Sequence, residues 1–281
     1  MASKYIGCAI LDKPCYGVVI PARNAEPYIK HTIVSIKWQT LSPKAIIVVD
    51  DSSDDRTAEV AMKLGAQVLR LNRRSKASAT ATPYLAYVIN QGLNILKHEN
   101  IDYLMLSGSD CVYPKNYVER LIKYMIRENV VLASGVILGE YTSPLSVRGS
   151  GRIIYAKWLK SIGFKYPINY GFESWLIFKA LSQGLKVKVY RDLKFISLRK
   201  TSFNIKKAYL YGKAMKALGY TPLYMFIRTL FLAFTHGLTM AKYMMIGYLK
   251  HDGNTYNDLF KYTKKVQSKI IASKLKIISR V

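Results

Sequence analysis

Along the first two hundred residues, short unbroken apolar runs alternate with stretches whose apolar positions recur every three or four residues. Tyr16–Ile20 reads as a buried strand, Pro21–Asn24 as the loop after it, and Pro27–Gln39 as a helix with Ile29, Ile33 and Ile36 on one side. Lys44–Val49 predicts a second buried strand that ends in Asp50 and Asp51. Ser52–Asp55 is rich in capping residues, and Arg56–Leu64 continues as helix. Gln67–Leu71 predicts a third strand, Pro83–Lys97 a helix, and Asp102–Leu106 a fourth strand closed by Ser107–Asp110. Pro114 is placed to open another helix, at a position where its missing N–H is of no consequence. Continuous apolar strands separated by helices predict an α/β fold with a mostly parallel central sheet covered on both faces. Ligands of such sheets bind at the carboxyl ends of the strands, which is where the polar clusters lie.

The second part of the chain differs. Residues 140–152 read as a flexible loop, Gly171–Gln183 as a helix ended by Gly184, and Lys186–Tyr190 as an alternating, edge-like strand. From about Thr201 the pattern is helical only and strongly basic. The expected division is an α/β domain over 1–200 and a helical region over 201–281. A length of 281 residues, half of them hydrophobic, suits that arrangement. The formal net charge of +26 calls for an anionic partner: nucleic acid, an acidic membrane or a phosphorylated substrate. Charge does not choose among them. Three cysteines, Cys8, Cys15 and Cys111, are too few for a disulfide framework or zinc cluster and read as thiols, with a Cys8–Cys15 bridge left open. The first sixteen residues lack the apolar core of a signal peptide, so the expected location is cytoplasmic.

Each polar cluster has a chemical and an ordinary reading. Asp50–Asp54 offers carboxylates to a base N–H or ribose hydroxyl, or simply turns the strand into its helix. Asp110 has the hard oxygens that hold a divalent cation against a diphosphate, or it caps the following helix. Glu173 is a candidate base for an acceptor hydroxyl, or a first-turn acid that complements its helix dipole. Arg73, Arg74 and Lys76 bind phosphate or, more simply, solvate a loop.

In order and spacing, these clusters resemble the family-2 nucleotide-sugar glycosyltransferases of the Rossmann-like GT-A fold. Val18–Asn24 (VVIPARN) is similar to the family's opening strand and loop, and Ile47–Asp54 (IVVDDSSD) to its nucleotide-binding turn. Asn90-Gln91-Gly92 resembles the Asn-x-Gly of the helix before the metal strand, and Leu106–Tyr117 (LSGSDCVYPKNY) the metal motif with its Pro-x-x-Tyr. The resemblance covers residues 16–200. It implies that Asp51 contacts the base, that Pro21, Ala22 and Asn24 line the nucleoside pocket, that Ser109 adjoins the donor, and that Asp110 holds Mg²⁺ or Mn²⁺. It also implies that Glu173 serves as the base and that the reaction inverts at the anomeric carbon. Three positions depart from the family. Its Asp-x-Asp metal motif has Gly108 in the first place, its Glu-Asp acceptor motif is Glu173-Ser174, and its late histidine is missing near Phe195–Arg199. Arg199 and Lys200 then face phosphate or acceptor instead.

Beyond the likeness, Thr221-Pro222 opens an apolar and aromatic run, Leu223–Leu249, interrupted by Arg228, His236 and Lys242. Those charges speak against a spanning helix and for one lying in the membrane interface or packed on the protein. Lys261, Lys264, Lys265, Lys269, Lys274, Lys276 and Arg280 alternate with Ile and Val and suit anionic lipid, with a solvated basic helix as the ordinary reading. The expected partners are a nucleotide-sugar donor, a glycan or polyprenyl-phosphate acceptor and an anionic membrane surface, with a peripheral position on its cytoplasmic face. The alternatives are a basic nucleic-acid-binding α/β protein, which the 22 tyrosines and the charge would serve although no nucleic-acid motif is visible, and a catalytically degenerate family member. An enzyme that makes the activated sugar is disfavoured, because Pro21–Asn24 lacks the glycines of a phosphate-binding loop.

Overall fold

The computed structural model describes residues 14–73, 77–140, 147–199 and 203–278. Its strands are β1 (Tyr16–Ala22), β2 (Ala45–Asp50), β3 (Gln67–Arg70), β4 (Tyr103–Leu106), β5 (Cys111–Val112), β6 (Val130–Ile137), β7 (Arg152–Tyr155) and β8 (Lys186–Ser197). Its helices are α1 (Glu26–Lys37), α2 (Thr57–Lys63), α3 (Pro83–Leu96), α4 (Tyr117–Glu128), α5 (Ala156–Ser161), α6 (Phe172–Ser182), α7 (Ile205–Ala217), α8 (Pro222–His236), α9 (Leu238–Leu249) and α10 (Phe260–Ile278). The sheet order is β3-β2-β1-β4-β7-β6-β8-β5. β3, β2, β1 and β4 are parallel neighbours, as are β6 and β8, while β7 runs antiparallel to β4 and β6, and β5 to β8. The expected α/β fold with a mostly parallel sheet is the fold observed.

Side-chain alternation explains why both faces of the sheet are covered. Val18, Ile20 and Val48 join one core with Ile29, Ile33 and Ile36 of α1. Val19 and Val49 point the other way, toward α3. A Cβ added to Gly92 of α3 would fall 2.6 Å from Val19 Cγ1 and 3.0 Å from Val49 Cγ2, so only glycine lets the helix lie this close. Asn90 on the same helix exchanges two hydrogen bonds with the backbone of Tyr166, both 2.8 Å.

Several boundaries depart from the expected ones. β1 continues through Pro21 and Ala22 rather than stopping at Ile20. Its pairing with β4 ends at Val19, so Pro21 faces only β2 and the lost N–H breaks no central ladder. Pro114 does not open α4; the helix begins three residues later, at Tyr117. The Pro114 carbonyl is occupied by Gln39 Nε2 (2.8 Å) and Tyr117 N (2.9 Å), and Gln39 Oε1 accepts from Val118 N at 2.9 Å, capping α4 from outside. The strand begun at Lys186 runs on to Ser197. It is an edge only in its first part, because β5 pairs with Ile196 and Ser197. β6, β7 and α5 occupy a stretch that the pattern left without regular structure.

Contacts divide the chain into two units. One contains the sheet with α1, α2, α4, α5 and most of α3. The other takes Ala79–Ala86, Pro167–Ser182 and the helices from α7 onward, so α6 and Glu173 belong to it. Within this second unit α7 packs against α9, and the apolar run 223–249 is two helices separated at Gly237 (φ +90°). Among the described residues no helix is long and apolar enough to cross a membrane.

Candidate active site

The loops after β1 and β2 are laced to each other. Asn24, in the left-handed region at φ +46°, donates its N–H to Ser53 Oγ (2.9 Å) and accepts from Asp54 N at Oδ1 (2.9 Å). Ser53 Oγ also donates to Asp50. Ala25 N reaches Thr57 Oγ1 at 2.8 Å, Glu26 N reaches Asp55 Oδ2 at 3.0 Å, and Arg56 N returns to Glu26 Oε2 at 3.0 Å. Hydrogen bonds from Arg56 hold the Glu26 carboxyl below the usual carboxylate range. The N-cap position of α2 is Arg56, whose side chain makes no cap, but Asp55 Oδ1 accepts from Thr57 N, the first N–H of the helix, at 3.0 Å, so the capping expectation holds at Asp55. Ser53 and Asp54 bind the neighbouring loop instead.

Asp51 is fixed at the carboxyl end of β2 by its own N–H, which donates to Ala22 O at 2.8 Å. Its side chain is 4% exposed. Oδ2 accepts from Arg73 Nη1 at 2.7 Å and faces Arg23 Nη1 at 3.6 Å. Oδ1 is buried and accepts no hydrogen bond among the described residues. A buried carboxylate oxygen without a donor is costly, which marks it as an acceptor for an incoming N–H or O–H. Arg73 is thus not a solvated loop residue: its side chain is only 12% exposed, and Nη2 donates to Ala77 O at 2.6 Å. Arg74, Lys76 and Lys200 lie outside the described residues.

The second turn follows β4. Ser107 N donates to Val19 O at 3.0 Å, and Cys111 N to Thr32 Oγ1 at 3.0 Å. Leu198 N donates to Asp110 O at 2.8 Å, joining this turn to the end of β8. Arg199, just past β8, donates from Nε to Asp110 Oδ2 and from Nη2 to Ser109 Oγ, both at 3.0 Å, with its guanidinium 5.1 Å from the centre of the Tyr28 ring. Asp110 does not cap α4, whose N-cap position is Asn116. Burial, helped by the Asp110 carboxylate, pushes the Cys111 thiol up to about 12, so it stays protonated.

β1 thereby brings two acidic turns together, one on either side of its own carboxyl end. Pro21, Ala22 and Asn24 lie between Asp51 on the β2 side and Ser109 and Asp110 on the β4 side. Glu173 stands in the first turn of α6, half-buried, its carboxylate making no hydrogen bond or ion pair among the described residues. Arg23, Tyr28 and Arg152 were not singled out in sequence. The pairing of Arg23 with Asp51 and the stacking of Tyr28 under Arg199 join separate loops, and no local pattern announces either.

The sequence profile described as glycosyl transferase family 2 matches residues 17–185. A UDP-Glc:α-D-GlcNAc-diphosphoundecaprenol β-1,3-glucosyltransferase of Escherichia coli is 24% identical over 163 residues, 54% of this chain and 58% of that enzyme. The chain therefore spans less than two thirds of this relative's length. Among solved structures, a mannosyltransferase of Pyrobaculum calidifontis in complex with GDP-Man and Mn²⁺ superposes with a TM-score of 0.57 at 15% identity, covering 94% of this chain and 87% of that one. TarS residues 1–349 of S. aureus, in complex with UDP-GlcNAc, gives 0.56 at 16% identity over 84% and 72%. At these identities the likeness speaks for the fold alone.

Proposed function

Because the chain belongs to glycosyl transferase family 2, we propose that it moves a sugar from a UDP- or GDP-linked donor to a glycan or lipid-phosphate acceptor at a membrane surface. The observation that carries the reading is Asp51, buried at a strand's carboxyl end with Oδ1 lacking a donor. A uracil or guanine ring N–H supplies one. Pro21, Ala22 and Asn24 then flank the nucleoside, and Ser109 and Asp110 face the diphosphate. The acceptor attacks the anomeric carbon from the face opposite the nucleotide, which inverts it. A hydroxyl acceptor gives its proton to Glu173; a polyprenyl phosphate arrives ionised and needs little help from a base. The name of the E. coli relative, a β-1,3-glucosyltransferase acting on a diphosphoundecaprenol-linked GlcNAc, supports a hydroxyl acceptor on a lipid-linked sugar.

A divalent ion, Mg²⁺ or Mn²⁺, fits the residues present poorly. Asp110 supplies the one carboxylate of its turn, and that carboxylate already holds a guanidinium. Gly108 has no side chain to offer, and a Cβ there would come within 2.8 Å of both Asp110 Oδ1 and Ser150 Oγ. Among the described residues no group of three or more His, Cys, Asp or Glu is placed to hold a metal.

Thermal shift with UDP and with GDP tests the donor site. The wild type is expected to gain stability with one of them, and Asp51→Ala to bind it roughly 10- to 100-fold more weakly, the loss for one hydrogen bond to a charged group. Equal ligand-induced shifts in the two proteins would remove Asp51 from the nucleotide site.

The membrane reading rests on α8. Leu223, Phe226, Leu230, Phe231 and Phe234 expose one apolar face, with Phe234 at 89% exposure. In the same unit Lys261, Lys264, Lys265 and Lys269 of α10 are exposed. An aromatic face accompanied by lysines suits anionic headgroups. Sedimentation with phosphatidylglycerol-containing vesicles, weakened by salt and by Phe231→Ser/Phe234→Ser and absent with pure phosphatidylcholine, is the expected result. Equal binding to both vesicle types would count against it.

A further inference from the structure

A leaving nucleoside diphosphate carries away an electron pair and needs positive charge beside its phosphates. The turn that faces the diphosphate in the proposed reading offers Arg199. Two of its donors are spent on Asp110 Oδ2 and Ser109 Oγ, which fix the plane of the guanidinium, and Tyr28 lies against it. Its main chain is held as well. The register Cys111↔Ser197, the bond from Leu198 N to Asp110 O and the bond from Ser197 Oγ to Arg199 O at 2.8 Å leave the residue little freedom. The remaining N–H groups form the fork that matches a phosphate bidentately. With its side chain 43% exposed, the group is accessible to a ligand. A metal ion at the same place would share one carboxylate with a guanidinium and be repelled by it.

Resting on the glycosyltransferase reading above, we propose that Arg199 takes the place of the divalent cation: anchored on Asp110 and Ser109, it binds the donor's diphosphate and stabilises the leaving nucleotide, so that transfer requires no metal. The bond between C1 of the sugar and the β-phosphate oxygen breaks with its electron pair on that oxygen, next to the guanidinium. The acceptor oxygen forms the new bond to C1, and the proton of a hydroxyl acceptor passes to a general base. Asp110 is then a positioning residue for Arg199 rather than a metal ligand.

Calorimetric titration of the full chain with UDP and GDP, in EDTA and in Mn²⁺, separates the outcomes. The expected result is binding of one nucleotide in EDTA, unchanged by Mn²⁺. Arg199→Ala should weaken it roughly 100- to 10,000-fold, as the loss of two charge-assisted hydrogen bonds predicts, without lowering the melting temperature. Arg199→Lys, which keeps the charge and loses the fork, should recover part of the affinity. Binding that appears only with Mn²⁺, or that survives Arg199→Ala undiminished, overturns the role of Arg199 and leaves the glycosyltransferase reading standing. No binding of either nucleotide in either buffer by folded protein overturns both.

Discussion

Replacing Gly247 by alanine is expected to destabilise the helical unit by about 2 kcal/mol, although alanine is the better helix former. Two effects oppose each other. Helix propensity favours alanine over glycine by about 1 kcal/mol in a helix interior. Against it, a Cβ on Gly247 would overlap the carbonyl oxygen of Tyr209 on α7, and a Cβ on Gly212 would overlap that of Met244 on α9. Both obstacles are backbone, so no side chain can swing aside and the two helices must separate. Separation loosens the contacts of Ala208, Met215, Met244 and Tyr248, the small core between them. Overpacking of this kind typically costs about 1–3 kcal/mol, and an unyielding backbone places Gly247 at or above the top of that range before propensity is credited. Gly212→Ala should behave alike, and the double variant should cost less than the sum, since one separation relieves both clashes. Urea unfolding followed by circular dichroism measures all three. A neutral or stabilised Gly247→Ala variant would show that α7 and α9 do not meet at these glycines.

The same close packing explains what could be read in advance. β1, β2 and β4 were legible because a strand covered on both faces has no polar positions to interrupt it, and α1 and α3 because their buried residues keep a helical spacing. β6 is as apolar as these, but it follows α4 directly through Asn129 in the left-handed conformation (φ +56°), with no glycine or proline to mark a new element. β7 was hidden differently: it opens with Arg152, a residue type assigned to the surface by default. At the site, Asp51 and Asp110 were legible because they end strands. Their partners were not. Arg73 lies 22 residues from Asp51, and Arg199 lies 89 from Asp110, and each pair forms only once the sheet order is set. From the sequence, Arg199 reads as a phosphate or acceptor group. That it sits on Asp110, where a cation was expected, is a consequence of β8 ending beside β5.

Arg152→Met is expected to lower stability by about 2–3 kcal/mol, a melting-point drop of roughly 5–10 °C for a unit of this size. Arg152 is 1% exposed, yet no carboxylate pairs with it among the described residues. Its guanidinium donates from Nε to Arg148 O (2.9 Å), from Nη2 to Val147 O (2.7 Å) and from Nη1 to Tyr166 Oη (3.3 Å). Methionine fills a similar volume and relieves the burial of a charge, which favours the variant. It also strands two carbonyl oxygens, each at about 1–3 kcal/mol, and that loss is larger. The segment they belong to is held further by Arg148 N on Ser134 Oγ (3.1 Å) and by Tyr117 Oη on Gly151 O (2.7 Å), and it carries Ser150 over Gly108. Loosening it should therefore disturb the Asp110 turn as well, weakening nucleotide affinity in step with stability. Arg152→Lys retains a charge with too few donors in a fixed fork and should fare no better. If instead Arg152→Met melted like the wild type while nucleotide binding vanished, the guanidinium would be a ligand group, and its bonds to Val147 and Arg148 would be incidental to the fold.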